Sequence, residues 1–489
     1  MNKRNLIIFG GAALAIAFIG LIAFSAGCFR TKEYKPTQTT ETIEITYYKL
    51  FDDSEVMDPL IQEYRALHPT VRINYRQFTD TQEYYDTILN ELAEGEGPDI
   101  FSVPNTWFAK NYKKVYPAPA NMLPYQTFEE TFVSVTMDDL VKQNPETGEL
   151  LVYGIPMTVD TLALYYNKDQ FDDALPAQGK PSSTWEGLKE DVFKLTKKDN
   201  SFERFEVSGI AMGFSSNVSR AVDILYLLMI QDGGSIYDKN YSKSIFAQQQ
   251  GVDSDGSIIK PGPNALELYT SFADPKNKNY SWNSYLSDGN SDTKEITTFA
   301  RGKVSMIIGY SYMYDQIVNE VKALQAKGLS TINPDVIRIA MIPQKKDPSQ
   351  STEKRVAYAH YFAETVARTS EHPDWSWDFL MFISSKESLQ HYNEKTHKPT
   401  SRRDMIDTQK TDPIYGVFAD QIGIAESFPI YDDKVYEEIF VKAIESVLAT
   451  KSPADAMKIA QDEINAILPS EGLIPQVKAD DETKKATSS

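Results

Sequence analysis

From Ile43 to Val103 the chain alternates strand patterns with helix patterns, and this alternation constrains the fold more than any other feature. Apolar residues occupy every second position from Ile43 and again from Val71, and a third short apolar run ends at Val103. The two segments between these runs place apolar residues at helical spacing, around Leu60 and then around Ile88. A β-α-β-α-β order predicts a mainly parallel sheet wrapped by helices, with ligands beyond the C-terminal ends of the strands.

The rule for parallel sheets selects two loops that follow predicted strands, Leu50 to Ser54 and Pro104 to Trp107. Phe51 lies in the first loop and Asn105 lies in the second. Trp107 has two interpretations, because a tryptophan directly after a strand either fills the core or forms an aromatic platform at the edge of the sheet. Both loops are candidates for contact with a ligand.

The stretch from Val152 to Phe171 changes character twice. A short apolar run is closed by Pro156, a polar segment follows, and a strand rich in aromatic residues begins at Leu162. Asp160 lies between the two extended segments. Its carboxylate is either a turn residue at the surface or a group that the fold presents to a ligand.

Polar and aromatic residues follow predicted strands again in the second half of the chain. One short strand leads into a polar turn that contains Ser215 and Asn217, and another leads into the loop Tyr310 to Tyr312. A strand of small and aromatic residues is predicted from Tyr358 to Val366. These loops add to the candidate contacts with a ligand.

Length and charge exclude several classes of protein. At 489 residues the chain is too long for one compact core, so two lobes are expected. The formal net charge of −19 argues against nucleic acid as a partner, because binding to phosphates needs clustered lysine and arginine. The sequence has five histidines and lacks the common zinc, phosphate-loop and nucleophile motifs, so neither a metal nor a cofactor is expected.

The N-terminus has the pattern of an export signal. Lys3 and Arg4 precede an uncharged apolar run from Leu6 to Phe24, and small residues lead to Cys28, the single cysteine of the chain. The position of Cys28 resembles the lipobox of bacterial lipoproteins, which implies a lipid anchor. The alternative is an uncleaved N-terminal helix, since the run is long enough to span a bilayer. Both interpretations tether the chain to the cell membrane, outside the cytoplasm.

The two ends of the chain are predicted to lie outside the folded lobes. Residues 1–27 form the predicted signal peptide, and the polar residues 28–42 form a flexible tether. Residues 471–489 are polar and charged and form a predicted disordered tail. The predicted folded part therefore begins at Ile43.

The residues at the predicted strand ends suit a sugar, because its C–H faces stack on aromatic rings while its hydroxyls need donors and acceptors. This set comprises Trp107, Asp160, Asn217, Trp282, Tyr310 and Tyr361. A glycoside hydrolase that uses two carboxylates is an alternative from another class. The sequence does not identify a second carboxylate that would face Asp160.

The sequence contains four further motifs, which are Leu67 to Val71, Gly95 to Ile100 with a G-x-x-P-D turn, Val152 to Asp169, and Phe299 to Met306, which is similar to F-x-x-G-K-x-A-M. In this order they resemble the motifs of family 1 extracellular solute-binding proteins, the maltose-binding-like receptors of ABC importers. The resemblance implies an α/β fold of type II periplasmic binding proteins, in which two lobes with mainly parallel sheets flanked by helices enclose a ligand cleft.

The same resemblance implies the lobe boundaries and the binding residues. The N-terminal lobe holds residues 43–157 and 362–428, the C-terminal lobe holds 158–361 and 429–470, and the first crossing falls within Met157 to Thr161. Asp160 matches the acidic position that hydrogen-bonds sugar hydroxyls in the family. The predicted ligand-binding residues are Phe51, Asn105, Trp107, Asp160, Ser215, Asn217, Trp282, Tyr310, Ser311, Tyr312, Tyr361 and Arg402.

The predicted function is that of a membrane-tethered monomer that binds a carbohydrate, in particular an oligosaccharide, by closure about a hinge. It delivers the sugar to an ABC permease and has no catalytic role. An alternative ligand is a non-sugar solute such as a polyol phosphate, for which a basic residue such as Arg402 would dominate the affinity.

Overall fold

The computed structural model of the chain describes residues 41–144, 147–198, 205–283, 294–347, 349, 353–470 and 472–473. The predicted signal peptide, Cys28 and nearly all of the tether lie outside these ranges, and so does the 471–489 tail except for Gly472 and Leu473. Leu473 is buried, and its backbone N–H donates to the carbonyl oxygen of Tyr241 (3.0 Å). Within the described ranges, no helix has the length and apolar composition needed to cross a membrane.

Strands and helices alternate along the described residues. The strands are β1 (Ile43–Leu50), β2 (Val71–Phe78), β3 (Ile100–Pro104), β4 (Val115–Tyr116), β5 (Val141–Gln143), β6 (Leu150–Val152), β7 (Ile155–Pro156), β8 (Asp160–Thr161), β9 (Ala163–Asn167), β10 (Lys197–Lys198), β11 (Phe205–Val207), β12 (Met306–Gly309), β13 (Ile337–Ala340), β14 (Ala357–His360), β15 (Phe362–Ala367) and β16 (Ala425–Glu426).

The α-helices that surround these strands differ widely in length. They are α1 (Ser54–Leu67), α2 (Thr81–Glu94), α3 (Phe108–Asn111), α4 (Tyr125–Thr131), α5 (Val135–Leu140), α6 (Lys168–Ala174), α7 (Trp185–Leu195), α8 (Ala221–Gln231), α9 (Pro261–Ser271), α10 (Glu295–Ala300), α11 (Met313–Ala326), α12 (Pro373–Ile383), α13 (Lys386–Thr396), α14 (Ile406–Gln409), α15 (Gly416–Gln421), α16 (Asp433–Ala449) and α17 (Pro453–Ile467).

The first sheet has the strand order β2-β1-β3-β15-β4, with β7 paired to β15. Strand β1 pairs in parallel with both β2 and β3, as the alternating pattern predicts. Strand β15, which comes much later in the chain, joins β3 antiparallel, with Phe362 opposite Pro104. The C-terminal ends of β1 and β3 therefore lie at the same edge as the beginning of β15.

Local signals explain the first two helices. Asp53 caps α1 by accepting the backbone N–H of Val56 (3.2 Å), and Asp80 caps α2 by accepting that of Glu83 (2.7 Å). Helix α2 ends at Gly95, whose φ of 80° lies in the left-handed region that glycine adopts without steric cost. The two caps fix where the loops after β1 and β2 end, and Gly95 fixes where the loop before β3 begins.

The second sheet has the order β12-β9-β13, and both of its pairings are antiparallel, so the prediction of mainly parallel sheets is wrong for this sheet. All five residues of the central strand β9 are buried. Helix α8 is buried along most of its length, and its Leu225 belongs to the same apolar cluster as Leu164 of β9. The aromatic and apolar composition of both elements follows from this burial on more than one face.

A third, small sheet connects the first two along the chain, and we call it the crossing sheet. It consists of β8, β14 and β16, with Asp160 of β8 opposite His360 of β14. Strand β7 of the first sheet precedes β8 by three residues, and β9 of the second sheet follows β8 after Leu162. The chain thus passes from one large sheet to the other through β8.

The strand predicted from Tyr358 to Val366 is two strands, which corrects the sequence interpretation. Strand β14 ends at His360 and β15 begins at Phe362, so Tyr361 separates the crossing sheet from the first sheet. The break has a physical cause, because Tyr361 gives its backbone N–H to the side-chain oxygen of Asn105 (3.2 Å) and its hydroxyl to Asp139 (2.7 Å). Neither bond belongs to a strand ladder.

A buried ion pair joins β1 to β15 inside the first sheet. Lys49 is 3% exposed, and its ammonium contacts the carboxylate of Glu364 and lies 3.4 Å from that of Asp52. Glu364 also accepts the hydroxyl groups of Tyr47 (2.7 Å) and Ser102 (2.6 Å). Buried charges need such partners, because an uncompensated charge in the interior is costly.

We expect Lys49→Met to lower the free energy of unfolding by about 3 to 5 kcal/mol, because it leaves Glu364 buried without its cation. Urea denaturation measures the change. Lys458→Met is the matched control, since the Lys458–Asp462 pair (2.7 Å) has side chains that are 69% and 59% exposed. It should cost less than about 1 kcal/mol. Equal losses in the two variants would contradict a role for the buried pair.

Candidate functional site

A cavity of about 680 Å³ lies where the first sheet, the crossing sheet and the second sheet approach one another. The loop after β1 contributes Phe51, and the crossing sheet contributes Asp160 and His360. The loop after β12 contributes Tyr312, and the first turn of α16 contributes Asp433. The volume is in the range of small-molecule sites, which are concave and few in a protein.

Half of the residues predicted to bind a ligand line this cavity. They are Phe51, Asp160, Ser215, Tyr310, Tyr312 and Tyr361. The structure brings these six residues together from parts of the chain that are far apart in sequence. The other six, which lie outside the lining, are Asn105, Trp107, Asn217, Trp282, Ser311 and Arg402.

Asp160 lies at the boundary between the cavity and the protein interior. Its carboxylate accepts hydrogen bonds from the hydroxyl of Ser311 (2.6 Å), from the backbone N–H of Ser311 (3.0 Å) and from that of Thr161 (2.9 Å). Burial raises the pKa of Asp160 to about 7, although the bonds from Ser311 act in the opposite direction. Asp160 is therefore a buried group rather than a residue of a surface turn.

The loop after β12 carries two stacked tyrosines. The rings of Tyr310 and Tyr312 lie 5.9 Å apart at an angle of 27°. The guanidinium of Arg220 lies over both rings, at 5.7 Å and 5.6 Å from their centres, and 3.8 Å from the carboxylate of Asp223. The hydroxyl of Tyr310 also donates to Asp223 (3.1 Å). Cation–π contact and an ion pair thus orient Arg220 in the cavity wall.

Phe51 presents an exposed ring in the loop after β1. Its side chain is 52% exposed, and its φ of 74° is unfavourable for a residue with a bulky side chain. The backbone is held in this conformation by bonds to Phe78 (2.8 Å) and from the side chain of Gln77 (3.0 Å). Its ring meets that of Phe362 edge to face at 6.4 Å. Strain of this kind is found mainly at functional sites.

A charged group lies beside Phe51. Asp52 accepts the ammonium of Lys398 (2.7 Å) and the hydroxyl of Tyr392. Burial alone would raise the pKa of Asp52, but the ammonium groups of Lys398 and Lys49 outweigh it and lower the pKa to about 2. Asp52 is therefore ionised and paired at neutral pH.

Two further titratable side chains line the cavity. Burial raises the pKa of Asp433 to about 6, and the negative charge of Asp223 adds to the effect, while a hydrogen bond from the hydroxyl of Thr106 (3.0 Å) opposes it. Burial lowers the pKa of His360, whose ring lies 6.0 Å from that of Tyr310. At neutral pH His360 is therefore uncharged and offers both a donor and an acceptor.

Three of the predicted residues outside the lining hold loops in place. Trp282 is 1% exposed, and its indole N–H donates to the side chain of Asn217 (2.9 Å), which in turn donates to the carbonyl oxygen of Asn283 (3.0 Å). Asn105 donates to the buried carboxylate of Asp139 (3.0 Å). These side chains support the loops that reach the cavity.

The remaining predicted residues have other surroundings. Trp107 packs edge to face against Phe101 at 6.2 Å, so the structure favours its interpretation as a packing residue. Arg402 donates to the carboxylate of Asp404 (3.0 Å) and to the carbonyl oxygen of Ser384 (3.1 Å). Its guanidinium is therefore engaged away from the cavity.

Sequence reasoning missed most of the charged or titratable residues of the lining, among them Arg220, His360, Lys398 and Asp433. Arg220 precedes helix α8, Asp433 begins helix α16, and Lys398 follows helix α13. The rule for strand ends searches only loops that follow strands, so it does not reach these three. This part of the lining is therefore formed by residues next to helix ends.

The comparison with known protein families decides the identity. The family described as bacterial extracellular solute-binding protein matches residues 50–390, which is more than half of the chain. The chain belongs to this family. The prediction made from the four sequence motifs is thereby confirmed, and the family's function places this solute-binding protein outside the cytoplasm.

Known proteins similar to this solute-binding protein share the same architecture. A binding protein of Brucella abortus is 20% identical over 327 residues, which are 66% of this chain and 67% of the relative. The sugar-binding protein MalE of Xanthomonas citri has a TM-score of 0.65 at 16% identity, over 87% of this chain and 97% of that chain.

Two further solved structures contain bound sugars. An ABC transporter solute-binding protein of Thermotoga lettingae, with alpha-D-tagatose, has a TM-score of 0.63 at 19% identity, over 87% of this chain and 100% of that chain. A substrate-binding protein of Listeria monocytogenes, with cycloalternan, has a TM-score of 0.63 at 16% identity, over 87% and 99%. These similarities confirm the predicted two-lobe, type II fold.

We expect Asp160→Asn to change how the stability of the solute-binding protein depends on pH. Because the pKa of Asp160 is about 7 in the folded protein and near 3.8 ordinarily, the folded state binds this proton more tightly than the unfolded chain. Its contribution to stability is fully present below about pH 4 and is lost as the pH rises towards 7. The melting temperature of the wild type minus that of the variant should therefore fall over this range.

Asp238→Asn is the control for this measurement. Hydrogen bonds from Ser242 outweigh the effect of burial and lower the pKa of Asp238, so its contribution is lost as the pH falls rather than as it rises. A difference in melting temperature that is constant with pH for Asp160→Asn would contradict the raised pKa.

Proposed function

We propose that this solute-binding protein binds an uncharged carbohydrate, in particular an oligosaccharide, in the cavity and delivers it to an ABC permease. The observation that carries the proposal is the composition of the lining, which combines aromatic rings at Phe51 and Tyr312 with hydrogen-bonding side chains such as His360 and Asp433. Rings stack against the C–H faces of a sugar, and its hydroxyls need both donors and acceptors.

The pairing of charges in the lining favours an uncharged ligand. Lys49 contacts the carboxylate of Glu364, Lys398 lies 2.7 Å from that of Asp52, and Arg220 lies 3.8 Å from that of Asp223. An anionic ligand would have to compete with these carboxylates for the cations. An uncharged ligand can form hydrogen bonds with both members of each pair without breaking it.

The sugars bound to two structural relatives support the same ligand class. Alpha-D-tagatose is bound in the Thermotoga protein and cycloalternan in the Listeria protein. The first ligand is a monosaccharide and the second is a cyclic oligosaccharide, so the two have only the class of carbohydrate in common. For this reason the proposal names the class and not one sugar.

The alternative ligand, a polyol phosphate, has less support in the cavity. Arg402, the residue expected to dominate its affinity, is bonded to Asp404 and Ser384 outside the lining. The alternative of a glycoside hydrolase is opposed by the family, whose members are solute-binding proteins. Neither alternative therefore replaces the proposal.

Closure about the crossing sheet is the proposed response to the sugar. We propose that the N-terminal lobe holds residues 43–157 and 362–428, and that the C-terminal lobe holds 158–361 and 429–470. Strand β8 and residue Tyr361 would then carry two of the crossings between lobes. A ligand that contacts both lobes favours the closed state, because some of its contacts exist only in that state.

The proposed attachment to the membrane rests on the N-terminal sequence, whose residues lie outside the described ranges. We propose that the protein acts as a monomer tethered to the cell membrane through a lipid on Cys28, with an uncleaved helix as the alternative. A Cys28→Ala variant should lose incorporation of radiolabelled palmitate in cells, because the thiol is the site of acylation. Palmitate labelling that persists in this variant would rule out the lipid on Cys28.

The proposed ligand class can be tested with a panel of uncharged sugars and one polyol phosphate. D-tagatose, maltose, maltotetraose, cycloalternan and glycerol 3-phosphate are added to the purified protein, and the shift in melting temperature is measured, since a ligand that binds only the folded state raises it. We expect a shift with at least one sugar and none with the phosphate. Chromatography of the recovered sugar should show that it is uncleaved.

Tyr312→Ala tests the aromatic wall with the sugar that gives the largest shift. We expect its affinity in calorimetry to fall by about 3-fold to 10-fold, the effect of losing one aromatic contact. Tyr314→Ala is the matched control, because Tyr314 packs edge to face against Tyr415 at 5.7 Å and lies outside the lining. If the two variants lose the same affinity, the cavity wall is not the binding surface.

A further inference from the structure

The carboxylate of Asp160 has little capacity left for a ligand. One oxygen accepts the backbone N–H of Thr161 (2.9 Å) and that of Ser311 (3.2 Å), and the other accepts the N–H (3.0 Å) and the hydroxyl (2.6 Å) of Ser311. A carboxylate offers about four lone-pair sites. The contacts come from three hydrogens, because the two oxygens share the N–H of Ser311, and they leave at most one site on a residue that is only 8% exposed.

Ser311, the main partner of Asp160, stands between the two tyrosines of the cavity wall. It is 1% exposed and lies outside the lining, whereas Tyr310 and Tyr312 belong to the lining. From the other side, the hydroxyl of Tyr165 in β9 donates to the carbonyl oxygen of Tyr310 (2.7 Å). The position of the loop Tyr310 to Tyr312, which we call the tyrosine loop, is therefore set jointly by Asp160 and the second sheet.

The backbone of Asp160 belongs to the crossing sheet, where it lies opposite His360. One residue thus pairs two crossing strands through its backbone and holds the tyrosine loop through its side chain. We infer that Asp160 is a positioning residue that couples the crossing sheet to the tyrosine loop, and that it does not itself bind the sugar. This inference rests on the proposed function, because it concerns how the proposed sugar site is built.

Asp433 accepts fewer hydrogen bonds from the protein than Asp160 and is the better candidate for accepting a hydrogen bond directly from the sugar. It lines the same cavity and accepts a side-chain hydrogen bond from the hydroxyl of Thr106 (3.0 Å). Its carboxylate also offers about four lone-pair sites, and the hydroxyl of Thr106 occupies one of them. The inference therefore assigns different roles to two carboxylates of one cavity, which can be separated experimentally.

A double-variant cycle on Asp160 and Ser311 tests the positioning role. Affinity for the panel sugar that binds the wild type most tightly is measured for Asp160→Ala, Ser311→Ala and the two together. We expect Asp160→Ala to weaken binding about tenfold. Ser311→Ala should weaken it less, and adding Ser311→Ala to Asp160→Ala should have no further effect, because the partner is already gone. Effects that multiply would overturn the inference.

Amide hydrogen exchange of the unliganded protein gives a second readout that a direct contact with sugar would not change. Asp160→Ala should speed exchange in peptides that cover the tyrosine loop, because the N–H of Ser311 loses its acceptor. Asp433→Asn should weaken sugar binding and leave this exchange unchanged. Unchanged exchange in Asp160→Ala would overturn the inference. If Asp160→Ala does not fold, Asp160→Asn, which keeps one acceptor oxygen, replaces it in both measurements.

The pair of Asp238 and Ser242 is a control for the general effect of losing hydrogen bonds between a serine and an aspartate. Asp238 accepts the backbone N–H (2.8 Å) and the hydroxyl (2.8 Å) of Ser242, and both residues lie outside the lining. Asp238→Ala should leave sugar affinity unchanged. A tenfold loss in this control would assign the effect of Asp160→Ala to general destabilisation and overturn the inference.

A failure of the positioning role of Asp160 can be distinguished from a failure of the proposed function. If the wild type binds none of the panel sugars, the carbohydrate proposal fails, but hydrogen exchange in Asp160→Ala still tests whether Asp160 holds the tyrosine loop. If the wild type binds a sugar and the cycle is additive, the carbohydrate proposal stands and the positioning role fails.

Discussion

The pairing of β8 with β14 is the interaction on which the rest of the structure depends. These two short strands carry the chain between the large sheets, and their register places Asp160 opposite His360. Both side chains line the cavity, so the backbone pairing that joins the sheets also sets two groups of the site. A shift of one strand by one residue would turn its side chain away from the cavity and separate the two groups, because neighbouring residues of a strand face opposite sides.

The first sheet could be predicted from the sequence to a large extent, because its strands and helices are local patterns with clear ends. The caps at Asp53 and Asp80 and the stop at Gly95 are properties of a few neighbouring residues. The antiparallel entry of β15 and the break at Tyr361 were not predictable in this way. Both depend on partners more than 200 residues away in sequence, which are strand β3 for the entry and Asn105 and Asp139 for the break.

The site was predictable where a side chain follows a strand directly and much less so elsewhere. Phe51 and Tyr312 reach the cavity for this reason. Trp282 and Asn217 also combine an aromatic ring with an amide group, but their side chains form a hydrogen bond with each other. A single sequence does not distinguish polar groups that satisfy one another from those left for a ligand. Arg220 illustrates the converse, since its role depends on two rings some 90 residues later.

The paired charges of the cavity have a consequence for how solutes reach it. Opposite charges held close together produce a field that decays within a short distance, so these ion pairs attract neither cations nor anions from afar. The protein as a whole has a formal charge of −19, whose field extends over about a Debye length of 8 to 10 Å at moderate salt. Small anions are therefore depleted near the surface while neutral solutes are not. Discrimination between them begins in the surrounding solution, before any side chain is touched.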